Sequence, residues 1–405
     1  MNVNFLGTLA FLSCISVSFS QSLPLKTGVY DAALRLNQTT FLPVHLSIEK
    51  KEKSIFAVIH NAEERIECVL KEKIGDTLII PFPNFDSELR VVATKKEQLN
   101  GFWVNYNKAG NYRIPFTAKR KTTCTKTDQA AVNLSGRWET YFSPSETDKE
   151  AAIGIIEQKG NELSGTVLTE TGDYRYLQGT VEGSKFYLAA FDGTHAFLLN
   201  GTYDGKTLTG NFFSGKHYQT DFKATLNPSF ELRHADSLTY LKEQHSRINF
   251  QLKDINGGEY SFPNTETEGK VVIIQIMGTW CPNCMDETKY YKELYAKYHA
   301  QGLEIISIGY EAAETFDEQA EKIKRLKERH NLDFTFLVGG KANKTLASEQ
   351  FKMLNEVISF PTSIYIGRDG LVKRIHTGFN GPGTGEYYIE YVEKTNALIE
   401  SLLAQ

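Results

Sequence analysis

The sequence predicts a multidomain α+β protein in which two small antiparallel β domains, barrels or sandwiches, precede a C-terminal α/β domain. The length of 405 residues exceeds what one ordinary hydrophobic core covers, which indicates two or three domains. Short apolar–polar alternations typical of strands fill the first half of the chain, whereas strand and helix patterns alternate after about residue 247. The formal net charge of −4 includes no basic stripe, so we expect no nucleic-acid partner.

Residues 1–20 are predicted to be a secretory signal peptide. Residues 5–17 are apolar and uncharged but too short to span a bilayer, and small side chains precede Gln21 at the cleavage position. A lipid anchor at Cys14 is the alternative, and simple cleavage is favoured because the residues before Cys14 form a poor lipobox. No later segment is long and apolar enough to span a membrane. We therefore expect an exported protein of the periplasm or cell envelope, without an integral membrane segment in the mature chain.

The two β domains are predicted over residues 21–125 and 134–228. Both blocks begin with glycine followed by an aromatic residue, at Gly28-Val29-Tyr30 and Gly136-Arg137-Trp138, as weak repeats of one another would. Turn signals such as Asp204-Gly205 separate their strand-like runs. A single larger β domain that covers both blocks is the alternative.

Cys68 and Cys124 are the cysteines of this β region. In an oxidising compartment they could form a structural disulfide. Two buried, unpaired thiols are the alternative, and sequence spacing does not separate the two hypotheses.

Residues 229–246 are predicted to form a helical linker, and residues 247–405 an α/β domain. Its strands and helices follow from apolar runs and from helical periodicity. The predicted strands are 271–276, 304–308, 334–338, 363–366 and 371–375, and the predicted helices are 285–301, 316–330, 345–351 and 387–403.

The stretch Trp280-Cys281-Pro282-Asn283-Cys284 lies between the first of these strands and the first helix. A two-residue spacer brings both sulfurs within bonding reach, and a helix N-terminus stabilises a thiolate. A zinc site would need two further ligands nearby, and haem attachment would need histidine where Met285 stands. A purely structural disulfide is the remaining alternative. We therefore expect a redox-active pair, with no metal and no cofactor.

A second motif, Phe360-Pro361-Thr362, stands just before the strand at 363–366. Together with the CxxC segment and Arg368-Asp369-Gly370, it makes residues 248–403 resemble the TlpA/ResA-like thiol–disulfide oxidoreductases of bacterial envelopes, a thioredoxin-like family. The resemblance implies a thioredoxin-like fold and a cis bond before Pro361, which packs against the dithiol. It also implies that backbone beside this proline, at Phe360 and Thr362, binds an incoming substrate strand.

The resemblance also implies individual roles. Cys281, at the helix N-terminus, is the expected nucleophile, and Cys284 is the expected resolving thiol. Trp280 is expected to shield the dithiol. Gln275 stands where thioredoxin carries a buried carboxylate, and an amide cannot ionise. Glu311, after the next strand, is the expected replacement, although a solvated loop glutamate is the alternative.

These features predict an exported reductase of protein disulfides, related in role to cytochrome-maturation proteins and recharged by a membrane electron donor. The alternative is an envelope adaptor whose β domains carry the function while the thioredoxin-like domain serves as a scaffold. A thiol peroxidase is disfavoured, because Gly278 stands where a peroxidatic loop has threonine.

Overall fold

The computed structural model describes residues 25–52, 54–95, 97–122, 132–147 and 149–405. The predicted signal peptide and Cys14 lie outside the described residues. Within the described ranges, no helix is long and apolar enough to cross a membrane.

An antiparallel sheet forms the first β region, and its side chains alternate between a buried and a more exposed face, as half-buried strands require. Over the described residues the sheet has nine strands in the order β4-β3-β2-β1-β9-β8-β7-β6-β5. The strands are β1 (Gly28–Arg35), β2 (Phe41–Lys51), β3 (Ser54–Asn61), β4 (Glu64–Val69), β5 (Glu72–Ile74), β6 (Thr77–Pro81), β7 (Ser87–Lys95), β8 (Gln98–Asn105) and β9 (Arg113–Arg120).

A second antiparallel sheet follows, and it closes on itself because β11 pairs with both β10 and β12. In the described part of the chain the order is β11-β10-β18-β17-β16-β15-β14-β12-β13. Closure into a barrel leaves no long unpaired edge. The strands are β10 (Gly136–Phe142), β11 (Glu150–Lys159), β12 (Glu162–Thr169), β13 (Gly172–Asp173), β14 (Leu177–Glu182), β15 (Lys185–Phe191), β16 (Ala196–Tyr203), β17 (Thr207–Ser214) and β18 (Tyr218–Leu226).

The two β sheets share part of their hydrophobic core. Phe191, at the end of β15, is 1% exposed and packs among buried side chains of the first sheet. Its ring meets those of Phe82 and Trp103 edge to face, each with centroids 5.2 Å apart. The two sheets therefore have separate backbone ladders but share a core and side-chain hydrogen bonds, such as that from Asn61 Nδ2 to the Phe191 carbonyl at 3.1 Å.

The C-terminal region is a mixed sheet covered by helices, with the order β20-β19-β23-β22-β21-β24-β25 among the described strands. The central strand β21 is buried along its whole length, as strands covered on both faces are. The predicted fold class is confirmed: a thioredoxin-like α/β region follows two barrel-like β regions. The elements are β19 (Phe250–Asp254), β20 (Glu259–Phe262), β21 (Val271–Met277), α1 (Pro282–Tyr298), β22 (Leu303–Glu311), α2 (Phe316–His330), β23 (Thr335–Lys341), α3 (Lys344–Gln350), β24 (Thr362–Ile366), β25 (Val372–Thr377) and α4 (Glu386–Leu403).

The segment predicted as a helical linker over residues 229–246 is not an α-helix. It contains a short 3-10 helix, Ala235–Ser237, and is otherwise irregular. The reason is that its backbone groups bind elsewhere: the Tyr240 N–H donates to the Asn355 side chain at 2.8 Å, and the Lys242 N–H to the Met353 carbonyl at 2.9 Å. Tertiary hydrogen bonds thus replace the helical ones.

Candidate active site

The cysteine pair lies at the junction of β21 and α1. Cys281 is the N-cap residue of α1, and its Sγ accepts a hydrogen bond from the Cys284 N–H at 3.2 Å. Pro282 occupies the first turn, where its missing N–H leaves no helical bond unmade. The two sulfurs form a disulfide with a Cα–Cα distance of 5.2 Å. Strand, turn and helix thus hold the pair at the positive end of the helix dipole.

The Phe360-Pro361 loop faces the same pair. The Phe360–Pro361 peptide is cis, as the resemblance implied. The Phe360 carbonyl oxygen lies 3.5 Å from Cys281 Sγ. Thr362 opens β24, is fully buried, and donates through Oγ1 to the Ser359 carbonyl at 2.8 Å. Cys281 is 6% exposed and Cys284 is 0% exposed, so Cys281 presents the more accessible sulfur.

Aromatic rings flank the dithiol. Trp280 donates from Nε1 to the Tyr310 carbonyl at 2.9 Å and meets the Phe360 ring edge to face at 6.1 Å. Phe360 stacks on Tyr310 with centroids 5.3 Å apart. These contacts fix the indole of Trp280 beside Cys281 and limit the approach of water.

Glu311, at the end of β22, is fully buried rather than solvated. Its carboxylate accepts from the Thr279 N–H at 2.9 Å and from Thr279 Oγ1 at 2.6 Å. Burial raises the pKa of Glu311 to about 7, against the lowering effect of these hydrogen bonds. Because Thr279 stands two residues before Cys281, Glu311 is tied directly to the turn that carries the dithiol.

A second buried carboxyl group, that of Glu287, was missed by sequence reasoning. Glu287 lies on α1 three residues after Cys284 and is fully buried. Burial raises its pKa to about 7 although it accepts several hydrogen bonds. Its donors are Gln275 Nε2 at 2.9 Å, Ser363 Oγ at 2.9 Å, the Tyr291 hydroxyl at 3.1 Å and the Tyr391 hydroxyl at 3.3 Å.

Gln275 connects Glu287 to the sheet. Its Oε1 accepts from Ser307 Oγ at 2.7 Å while its Nε2 donates to Glu287. The amide at the position of the thioredoxin carboxylate therefore holds another carboxyl group in place. An acid three residues after the second cysteine, on the helix face that i and i+3 positions share, was the available sequence signal.

Cys68 is apart from this site. It lies on β4, is buried and has no disulfide partner among the described residues, and burial raises the pKa of its thiol to about 12. Cys124 lies outside the described residues, so the pairing of Cys68 with Cys124 stays a prediction.

Sequence comparisons place this geometry in a family. The model of the AhpC/TSA family matches residues 244–375. The thiol-disulfide oxidoreductase ResA of Bacillus thuringiensis subsp. konkukian is 31% identical over 162 residues, which cover 38% of this chain and 82% of that protein. The chain belongs to the ResA family of thiol–disulfide oxidoreductases. ResA of Halalkalibacterium halodurans is 28% identical over 151 residues, which cover 36% of this chain and 74% of that ResA.

Solved structures also match this ResA-family chain. A thiol:disulfide interchange protein from Chlorobium tepidum is 16% identical, with a TM-score of 0.29 and coverage of 39% of this chain and 95% of that one. A thioredoxin-like protein from Porphyromonas gingivalis is 25% identical, with a TM-score of 0.29 and coverage of 37% and 90%. As a member of the ResA family, the protein is an oxidoreductase that catalyses thiol–disulfide exchange.

Proposed function

We propose that this protein reduces disulfides of other proteins in the cell envelope, with Cys281 as the nucleophile and Cys284 as the resolving thiol. The observation that carries the proposal is the position of Cys281, whose sulfur caps α1, accepts the Cys284 N–H and lies beside the Phe360 carbonyl. A thiolate there is stabilised by the helix terminus, and the backbone of the Phe360-Pro361 loop lies beside the attacking sulfur.

The reaction balances as two thiol–disulfide exchanges. In the dithiol form, the Cys281 thiolate attacks one sulfur of a substrate disulfide; a mixed disulfide forms and the other substrate sulfur leaves and takes a proton. The Cys284 thiolate then attacks Cys281 Sγ, the Cys281–Cys284 disulfide forms, and the second substrate thiol is released. Two electrons pass from the dithiol to the substrate.

Glu287 and Glu311 are the candidate proton acceptors for this reaction. Both are fully buried carboxyl groups whose pKa burial raises to about 7, where a group exchanges protons readily near neutral pH. Glu311 is bound to Thr279 in the dithiol turn, and Glu287 lies one turn of α1 after Cys284. We propose that they hold the proton that Cys284 must lose before it attacks.

The reductase direction is tested by the reduction potential of the Cys281–Cys284 pair. The purified full chain is equilibrated in dithiothreitol or glutathione buffers and its free thiols are trapped. A potential near that of thioredoxin, about −270 mV, is expected for a reductase that a membrane electron donor recharges. A potential near about −120 mV would make the protein an oxidant instead.

The roles of the two cysteines are tested by trapping. Cys284→Ser is expected to accumulate mixed disulfides with substrate proteins through Cys281, because the resolving attack is lost, whereas Cys281→Ser accumulates none. Cys68→Ser is the matched control, since that thiol is buried in the first β region. The adaptor alternative makes the opposite prediction: Cys281→Ser would leave the cellular function intact.

Export is tested by the N-terminus of the protein recovered from its native envelope. Cleavage of residues 1–20 predicts a mature chain that begins at Gln21. A mass that corresponds to a chain beginning at Cys14 with a diacylglyceryl group would show lipid anchoring instead of simple cleavage. A chain that begins at Met1 and is found in the cytoplasm would contradict both hypotheses.

A further inference from the structure

A hairpin of the second β region, residues 169–175, packs against the segments that flank the dithiol, and we call it the lid hairpin. Ser359, in the loop that carries the cis proline, donates from Oγ to the Thr171 carbonyl at 3.1 Å. A Cβ added to Gly378 would lie 2.7 Å from the carbonyl carbon of Thr171, so the two backbones touch. The lid hairpin therefore lies against the surface beside Phe360, where a substrate backbone would bind.

The lid hairpin also contacts the spacer of the CxxC motif. Asn283 Nδ2 donates to the carbonyl oxygen of Asp173 at 3.3 Å and to its Oδ2 at 3.2 Å. The Gly381 N–H donates to the same Oδ2 at 2.7 Å. A Cβ added to Gly172 would lie 2.7 Å from Asn283 Nδ2, which shows how closely the hairpin is seated. In the neighbouring turn, Thr194 Oγ1 donates to the Trp280 carbonyl at 3.3 Å.

Arg175 joins the lid hairpin to the other two regions. Its side chain is 10% exposed and hydrogen-bonds Asp286 on α1 and Glu64 on β4. Asp192, in the second β region, lies 3.6 Å from its Nε. One guanidinium thus neutralises carboxylates from three regions of the chain. Its loss would remove the cation that these carboxylates share and leave Asp286 with Lys289 at 3.1 Å as its basic neighbour.

We propose that the lid hairpin, held by Arg175, closes the dithiol to protein substrates and must move away before a substrate strand can bind. A strand that lies along Phe360 and reaches Cys281 would overlap the lid hairpin in its present position, whereas a small reagent needs only the narrow opening that leaves Cys281 6% exposed. The identity of the substrate as a protein disulfide rests on the proposed function; the closure itself rests on the contacts above.

The test compares two thiol reagents on the reduced full chain. N-ethylmaleimide and a maleimide carried on a long polyethylene glycol chain, which share one reactive group and differ in size, are each added, and the loss of unmodified Cys281 is followed by peptide mass spectrometry. In the wild type the bulky reagent is expected to react far more slowly relative to the small one. Arg175→Met is expected to raise the rate for the bulky reagent at least about tenfold, with less than about a twofold change for N-ethylmaleimide.

Asp286→Asn is the second variant, because it removes a single partner of Arg175 and decides the question if Arg175→Met does not fold. It is expected to raise the rate of the bulky reagent by a smaller factor than Arg175→Met does. Arg65→Met is the matched control, since Arg65 pairs with Glu49 and Glu67 within the first sheet, and it should leave both rates unchanged. The lid proposal would be contradicted if the two reagents reacted with the wild type at equal rates. It would also be contradicted if the ratio of the two rates were the same in the wild type and in every folded variant.

The alkylation ratio and the reduction potential separate the two proposals. If the reduction potential is oxidising and the bulky reagent reacts more slowly with Cys281 than the small one does, the reductase direction is contradicted and the lid proposal is supported. If the potential is reducing and both reagents react with Cys281 at equal rates, the lid proposal is contradicted and the reductase proposal is supported.

Discussion

Glu287 and Glu311 illustrate, at the scale of single residues, how burial sets the protonation of a carboxyl group. Neither pairs closely with a cation; each is held by uncharged donors in a region that water does not reach. Their pKa values of about 7 follow from this desolvation. Such groups take up protons on folding and so make stability depend on pH.

Glu287→Gln is predicted to remove part of this pH dependence. The folded pKa of about 7 lies above the ordinary value of 4.5, so the folded state binds a proton that the unfolded state releases between these values. The stability that this proton supplies is fully present below about pH 4.5 and is lost as pH rises through about 7. The free energy of unfolding of the wild type, relative to the variant, should therefore fall by up to about 3 kcal/mol from about pH 5 to about pH 8.

Urea unfolding at several pH values measures this difference. Glu390→Gln, an exposed glutamate that pairs with Lys394 on α4, is the control and should leave the slope unchanged. Parallel pH profiles for the wild type and Glu287→Gln would show that Glu287 keeps an ordinary pKa.

Helix α2 illustrates how an element is specified by its ends. Thr315 caps the helix by accepting the Glu318 N–H at 3.3 Å, and the Glu318 side chain accepts the Thr315 N–H at 3.2 Å. Asn331 ends it in the left-handed conformation, with φ of 49°. The predicted bounds, 316–330, equal the observed ones because both signals are local in the sequence.

Thr315→Ala is predicted to destabilise the protein by about 1 kcal/mol, because the Glu318 N–H in the first turn of α2 loses its acceptor, the Thr315 hydroxyl. Chemical denaturation followed by circular dichroism measures the change. Thr315→Ser keeps the hydroxyl and should recover most of the loss; a serine variant as unstable as the alanine variant would point to the methyl group rather than the cap.

At the scale of the whole molecule, core packing and side-chain hydrogen bonds join regions whose backbone ladders are separate. Phe191 of the second sheet sits among core side chains of the first, and Arg175 binds acidic partners from all three regions. The predicted division at residues 125–134 remains a prediction, but a shared core implies that the two β regions unfold together.

Phe191→Ala is predicted to destabilise both β regions by about 3 to 5 kcal/mol, because a fully buried ring at their common core is removed. Trp103 and Trp138 report on the first and second sheets, so variants that keep one of them and lack Trp280 follow each region separately in urea. Both midpoints should shift together. Phe41→Ala, at a position 52% exposed, is the control with little effect; a shift confined to Trp138 would show that the regions unfold independently.

The sequence alone was enough to predict most of the fold and part of the site. Alternation and helical periodicity placed β21 to β25 and the four α-helices of the C-terminal region within a few residues, whereas the hairpin of β19 and β20 was not predicted. The CxxC segment and the Phe360-Pro361-Thr362 motif identified the dithiol and the loop beside it. Glu311 was named from its position, but its burial and its bonds to Thr279 were not foreseen. The linker helix was wrong because Tyr240 and Lys242 bind backbone and side chains more than 100 residues away.

What the sequence by itself determined is the chemistry of the dithiol, because a cysteine pair at the start of a helix needs only neighbouring residues to specify it. Only the tertiary structure decided that Glu287 is buried and that the lid hairpin lies against Asn283 beside the dithiol. Asp173 and Asn283 are 110 residues apart, and Arg175 and Asp286 are 111 apart. Such contacts depend on how whole sheets pack, which no local pattern encodes.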